Sequence, residues 1–181
     1  MESRTDEQLV ISLKNGNVDA FEELYHRYKR HIFTFCLSLT GDRSLAEDAT
    51  HDAFLRMHEG IHALNDASVF RTWLFTIARN GVFKQLNKNR RNGSLDDESA
   101  WTDETPHTLT EIDDSASVIR SCINALKLEY KEVLLLREYE RHSYEEIAAI
   151  TGDTESSVKS RLFKARKALA EKLKPYFKDQ P

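Results

Sequence analysis

Apolar residues recur every three or four positions through most of the chain, the period of a helix with one buried side. Leu9, Val10 and Leu13 form a short stripe behind Thr5 and Gln8, whose spacing is that of a capping box, and Asn15-Gly16 ends it. Phe21, Leu24, Tyr25, Tyr28, Ile32, Phe35 and Leu39 predict a longer helix over about 19–39. After the Gly41-Asp42 turn, Ser44 and Glu47 look like a second capping box. They open a helix to about Glu59 in which Leu45, Ala49, Phe54 and Leu55 should be buried. Gly60 to Ser68 reads as a loop. A helix over about 69–91 follows, with Trp73, Leu74, Ile77, Ala78 and Val82 available to a core.

The pattern then stops. From Asn92 to Ser115 there are eight acids and no lysine or arginine, with Gly93, Pro106 and scattered Ser and Thr residues. Such a stretch has too little apolar surface to fold alone and reads as a flexible acidic linker. The helical period resumes near Ala116. Val118, Ile119, Cys122, Ile123 and Leu126 share one side, and a helix over about 129–139 carries a Val133 to Leu136 core. The expected architecture is all-α: two small helical domains, 1–91 and 116–181, joined by the linker 92–115.

The last pair of helices carries the clearest punctuation. Ser143 and Glu146 form a capping box, and Gly152 is placed for the left-handed conformation that ends a helix. Asp153 or Thr154 can cap the next one. A turn this short, with the small Ala148 where the helices cross, is a helix-turn-helix pattern. Val158, Leu162, Ala165 and Leu169 form the buried stripe of the second helix. Ser156, Ser160, Phe163, Lys164 and Lys167 lie opposite, flanked by Lys159, Arg161 and Arg166. Hydroxyls, one ring and cations on one face suit the major groove, and eight cations against one anion from Lys159 to Lys178 suit phosphates.

Charge sharpens this picture. The formal net charge is -4, so the chain is no general polycation; its charges are segregated, as separate surfaces for separate partners require. Phe70, Trp73, Phe75 and Phe83 crowd one helix beside Arg71, Arg79 and Lys84, and rings interleaved with cations suit unstacked bases. Cys36 and Cys122 sit in apolar patterns and should pack rather than pair. The start of the chain lacks the apolar core of a signal peptide, and no apolar run is long enough to cross a bilayer, so a cytoplasmic protein is expected. His51, His58 and His62 do not align as metal ligands, because Gly60 interrupts the helix. No phosphate-cradling glycine loop and no nucleophile with a base in a recognisable motif is present, so neither a cofactor nor an enzymatic activity is expected.

Three segments together carry a resemblance: Ala46-Glu-Asp-Ala-Thr-His-Asp-Ala-Phe54, Phe70-Arg-Thr-Trp-Leu-Phe-Thr-Ile-Ala-Arg-Asn80, and Tyr144-Glu-Glu-Ile-Ala through Val158-Lys-Ser-Arg-Leu-Phe-Lys-Ala-Arg166. In that order they resemble the extracytoplasmic-function group of the sigma-70 family of bacterial RNA polymerase sigma factors. The resemblance implies a region 2-like first domain that binds core polymerase at the β′ clamp helices through Asp48, His51, Asp52 and Arg56. It implies a loop, with Leu64, Asn65 and Ser68, that traps a flipped base of the -10 element. Trp73, Phe75, Thr76, Arg79 and Asn80 would line the path of the single strand. The region 4-like second domain, lying near the β flap, would read the -35 element as duplex. Lys159, Ser160, Phe163 and Lys164 would lie nearest the bases there, with Ser156 on the same DNA-binding side, while Arg161, Arg166 and Lys167 would mostly hold phosphates. An anti-sigma factor is the further partner implied. The chain departs from the family pattern at the turn, where Asp153 replaces an apolar residue and Thr154 a proline. A stand-alone helix-turn-helix regulator and a protein-binding adaptor are the competing classes.

Overall fold

The computed structural model describes residues 4–91 and 114–177; residues 92–113 of the acidic stretch lie outside the described residues, and its last two positions, 114 and 115, already belong to a helix. Four helices precede that gap: α1 (Asp6–Lys14), α2 (Val18–Thr40), α3 (Arg43–Gly60) and α4 (Phe70–Arg91). Four follow it: α5 (Asp114–Asn124), α6 (Leu128–Leu134), α7 (Tyr144–Thr151) and α8 (Glu155–Phe177). No strand occurs among the described residues.

Local chemistry sets the helix ends. Thr5 accepts from the amide of Gln8, whose side chain accepts in return from the amide of Thr5. Gly41, at φ 68°, ends α2 in the left-handed region. Asp42 rather than Ser44 caps α3, accepting from the amide of Leu45 at 2.9 Å. The helix thus starts earlier than the Ser44–Glu47 spacing predicts, and Glu47 instead pairs with Arg43 at 2.8 Å. Between α3 and α4 the predicted loop contains two short 3₁₀ turns, Ile61–Ala63 and Ala67–Val69.

In the first half, α3 packs against both α2 and α4, while α1 lies on α2. Leu9, Leu24, Ile32, Phe35, Met57, Phe70, Leu74 and Phe75 are fully buried among them. Leu55, expected inside, is exposed. Phe54 takes the inward position, and a neighbour 100° further round the helix faces out. Cys36 is enclosed in the same core, and burial pushes its thiol up to about 12.

In the second half, α6 and α5 pack on α8, and α7 joins α8 through Gly152 at φ 73°. Of the two candidate caps for α8, Thr154 accepts from the amide of Ser157 at 3.2 Å. The helix predicted over 129–139 changes character at Leu135. Leu135–Tyr139 is a wider π turn, closed by bonds from Glu140 N to Leu135 O and from His142 N to Leu136 O. A π turn rotates everything after it. It carries Glu140 and His142 inward, and leaves Arg141 at φ 59°.

The two halves are packed together. α4 lies on α7, and α2 touches α6, so one apolar core runs from α1 through to α8. Phe75 joins the halves: its ring meets Phe35 edge-on at 5.4 Å and His142 at 4.9 Å.

The turn gives a direct test. A Cβ on Gly152 meets nothing within 4 Å, so Gly152→Ala introduces no clash, only left-handed strain. It is expected to lower stability by about 1–2 kcal/mol in urea denaturation.

Candidate nucleic-acid interface

Three surfaces carry the residues singled out from the sequence. The first is the outer face of α8. With Val158, Leu162 and Ala165 buried, geometry turns Ser156, Lys159, Ser160, Phe163, Lys164, Arg166 and Lys167 to solvent. Phe163 is 70% exposed, an unusual position for a large ring on a folded helix. Tyr144 on α7 lies between Lys159, 5.4 Å from its ring, and Arg137, 4.8 Å away. Arg166 is held by Glu138 at 2.7 Å, a pairing that pushes its guanidinium further up.

Arg161 behaves differently. It is half-buried and paired with Asp153 at 2.9 Å, turned back against the helix-turn-helix instead of outward. The acid that departs from the family pattern in the turn is thus the partner of a residue assigned to phosphates from the sequence.

The second surface is α4 with the preceding 3₁₀ turns. Asn65 and Ser68 are exposed, and Asp66 caps the segment between them by accepting from Ser68 N at 2.9 Å. Those bonds hold the Asp66 carboxyl below its usual range. Leu64 is buried, and its carbonyl accepts from Lys14. Trp73 is half-buried and lies over Gly60, where a Cβ would come within 3.3 Å of the indole. Thr76 is half-buried and donates to the Thr72 carbonyl at 2.8 Å, while Asn80 is open. Beyond it, Phe83, Lys84, Asn87, Lys88 and Arg91 continue an open, basic groove. Phe75 has no exposed surface at all; the aromatic surplus of this helix is partly core.

The third surface is the outer face of α3. Asp48, His51, Asp52 and Arg56 are all exposed there, together with Leu55. Two acids, His51, Arg56 and one apolar side chain thus share the solvent side of α3.

The sequence reading did not reach the seam between the halves. Arg79 pairs with Glu132 at 2.5 Å, and the carboxylate is only 2% exposed. Arg71 donates to the backbone carbonyl of Glu140 and pairs with its carboxylate at 3.0 Å; His31 meets the same carboxylate at 3.0 Å. Thr72 donates to Glu146 at 3.3 Å. Burial pushes the Glu132 carboxyl up, opposed by Arg79 and then Arg161. His142 is fully enclosed, with no hydrogen-bond partner at either ring nitrogen, and Glu146 Oε2 stands 3.6 Å from Nδ1. Burial and the Arg71 charge push its imidazole down to about 4. The one signal in the sequence was Glu132 itself, a charge set directly before the Val133 to Leu136 run.

Comparison with known proteins places the chain. The family described as sigma-70 region 2 matches residues 24–92, and that described as sigma-70, region 4 matches residues 117–169. The ECF RNA polymerase sigma factor SigM of Bacillus subtilis is 30% identical over 153 residues, covering 82% of this chain and 91% of the relative. The RNA polymerase sigma-H factor of Pseudomonas aeruginosa is 29% identical over 186 residues, 96% of each chain. Among solved structures, the sigma factor RpoE in complex with the anti-sigma factor NepR from Bartonella quintana superposes with a TM-score of 0.74. It is 26% identical, and the match covers 85% of this chain and 96% of that one.

Proposed function

The chain belongs to the extracytoplasmic-function RNA polymerase sigma factors, and from that premise we propose how its surfaces divide the work of promoter recognition. Core polymerase docks on α3 through Asp48, His51, Asp52 and Arg56. The -10 element, as a single strand, runs along Asn65, Ser68, Trp73, Thr76, Arg79 and Asn80, with Leu64 and Phe75 as the packing beneath that path. The -35 element meets α8 as duplex. Ser156, Lys159, Ser160, Phe163 and Lys164 face the bases, Arg166 and Lys167 serve phosphates, and Arg161 braces the turn through Asp153. Residues 1–91 and 116–181 are the two working domains, and 92–115 tethers them.

The observation that carries this reading is the outer face of α8. An apolar ring held 70% in solvent between hydroxyls and cations has no structural task; against a major groove it has thymine methyls to meet. Phosphate contacts position such a helix, and base contacts choose the sequence. The protein initiates no bond chemistry of its own; it works with polymerase in the cytoplasm. Likeness to the RpoE–NepR pair supports an anti-sigma factor as the partner that restrains it.

Run-off transcription with purified core polymerase tests the proposal. Initiation at a defined start site supports it. Tight, sequence-specific duplex binding without polymerase, and no initiation with it, favours a stand-alone regulator instead. Lys164→Ala is expected to reduce discrimination between cognate and altered -35 sequences by about 1–3 kcal/mol. Because Lys164 is exposed, thermal unfolding should be unchanged. Equal loss on all sequences would reassign Lys164 to a phosphate.

A further inference from the structure

The cations of α8 differ in how firmly an acid of the chain holds them. Lys159 meets Glu155 at 3.3 Å and Arg166 meets Glu138 at 2.7 Å, with all four side chains about half exposed. Water and salt reach such pairs and keep them weak, so a phosphate displaces the acid easily. Arg161 is held otherwise. Its guanidinium meets Asp153 at 2.9 Å, with only 18% of the Arg161 side chain and 28% of the Asp153 side chain exposed. A pair withdrawn that far from solvent is screened less, and opening it leaves two poorly solvated charges.

The turn builds this pair. Gly152, at φ 73°, brings the chain out of α7, and Thr154 caps α8 through the amide of Ser157. Asp153 stands between them, just ahead of the cap. Its carboxylate accepts from the Ser157 hydroxyl at 3.5 Å and reaches Arg161 nearly two turns into the helix. Deeper in, the enclosed Glu132 of α6 lies close enough to feel both charges, so a second anion backs Arg161. Lys164 and Lys167 are exposed on the neighbouring face. Three residues advance a helix by about 300°, which puts Arg161 only about 60° round from Lys164. Without the acid, its long stem carries the guanidinium to the same edge of the groove.

We propose that Asp153 is an internal competitor of DNA phosphate: it keeps Arg161 off the backbone and so limits the sequence-blind share of the hold that α8 takes on duplex. The inference rests on the assignment of α8 to duplex DNA. Phosphate contacts carry no sequence information, so each one strengthens binding to any DNA alike. Each also releases counterions, which appears as a steeper fall of affinity with salt, about 0.9 in logarithmic slope per contact. With Arg161 engaged by Asp153, α8 makes one such contact fewer. The side chains that face the bases then supply a larger part of the total.

The test uses the full chain and a fluorescein-labelled duplex of mixed sequence, with Kd measured by anisotropy over a series of KCl concentrations. Asp153→Asn keeps side-chain size and an acceptor for Ser157 while removing the charge. It is expected to steepen the slope of log affinity against log salt by about 0.9 and to tighten binding several-fold at low salt. Arg161→Gln alone should leave the slope unchanged, because Arg161 holds no phosphate in the unmodified chain. Combined with Asp153→Asn, it should cancel the steepening. Glu155→Gln removes an acid from the same end of α8, one paired in the open, and controls for general repulsion of DNA. An unaltered slope in Asp153→Asn, an equal steepening in Glu155→Gln, a steepening that survives Arg161→Gln, or a slope lowered by Arg161→Gln alone would each overturn the proposal. Asp153→Asn changes no volume in a partly exposed turn, so its slope decides where Arg161→Gln is too unstable to measure. Lys167→Ala lowers the slope only if α8 grips duplex, so a failure of that assignment is seen separately.

Discussion

Phe75→Ala is expected to cost about 3–5 kcal/mol of stability, the range for removing an enclosed aromatic ring. The residue sits in the aromatic-rich helix and, by sequence alone, belongs with Trp73 and Thr76 on the strand's path. The structure instead encloses it completely, edge-on to Phe35 at 5.4 Å and to His142 at 4.9 Å, with the Arg71 guanidinium 5.7 Å from the ring. Truncation therefore opens a void at the junction of α2, α4 and the loop before α7, and loosens both halves at once. Urea denaturation followed by circular dichroism checks it. Phe163→Ala is the contrast, because a ring 70% in solvent supports nothing beneath it, and its loss should move stability by no more than about 0.5 kcal/mol. A stable Phe75→Ala chain defective only in strand binding would return Phe75 to the DNA face.

That contrast shows what the pattern of residues can and cannot reveal. Helical spacing located the eight α-helices of the described residues, because burial on one side repeats every three or four residues whatever the partner is. Capping residues fixed α1, α7 and α8 to within a residue, because their bonds are made within four positions along the chain. Leu55 failed because the stripe that α2 and α4 cover on α3 takes Ala53 and Phe54 and stops there, and the width of a buried stripe is set by the packing partners, not by the local pattern. The π turn failed because nothing in Leu135–Tyr139 departs from ordinary helix-forming composition; its wider repeat is set by what Glu140 and His142 must reach. The same limit hid the seam. Arg79 and Glu132 are 53 residues apart, Arg71 and Glu140 69, and apart from the position of Glu132 before an apolar run neither pair leaves a local mark. Each charge reads as one more residue of a solvated face. The exposed face of α8 was legible for the opposite reason, since Val158, Leu162 and Ala165 mark the buried side of one helix and the polar positions opposite follow from the same local spacing.

The buried imidazole of His142 makes the junction of the halves sensitive to acid. Its ring is enclosed by Phe75 and by Arg71 of α4, by Glu146 of α7 and by the turn carrying Arg137, which donates to the His142 carbonyl at 2.7 Å. Glu140 and His31 of α2 flank the same corner through Arg71 and through each other. In the packed arrangement the imidazole is pushed down to about 4, so it is neutral there; released to solvent it titrates in its ordinary range. A depressed value means the neutral ring's contribution is fully present above about pH 6.5 and is lost as pH falls toward about 4. At pH 5 the protonated, parted state gains about 2 kcal/mol, roughly thirtyfold in the equilibrium. Glu146, whose carboxyl is held low with the Ser143 amide and the His142 charge as its lowering partners, adds loss in the same direction at lower pH. Glu132, pushed up by burial, opposes it. His142→Gln separates these effects, because every carboxylate and His31 remain while the ring does not. Scattering measured from pH 7.5 to 5 should show the unmodified chain expanding and His142→Gln following a much shallower course. Parallel curves for the two chains would remove His142 from the acid response and leave it to the carboxylates.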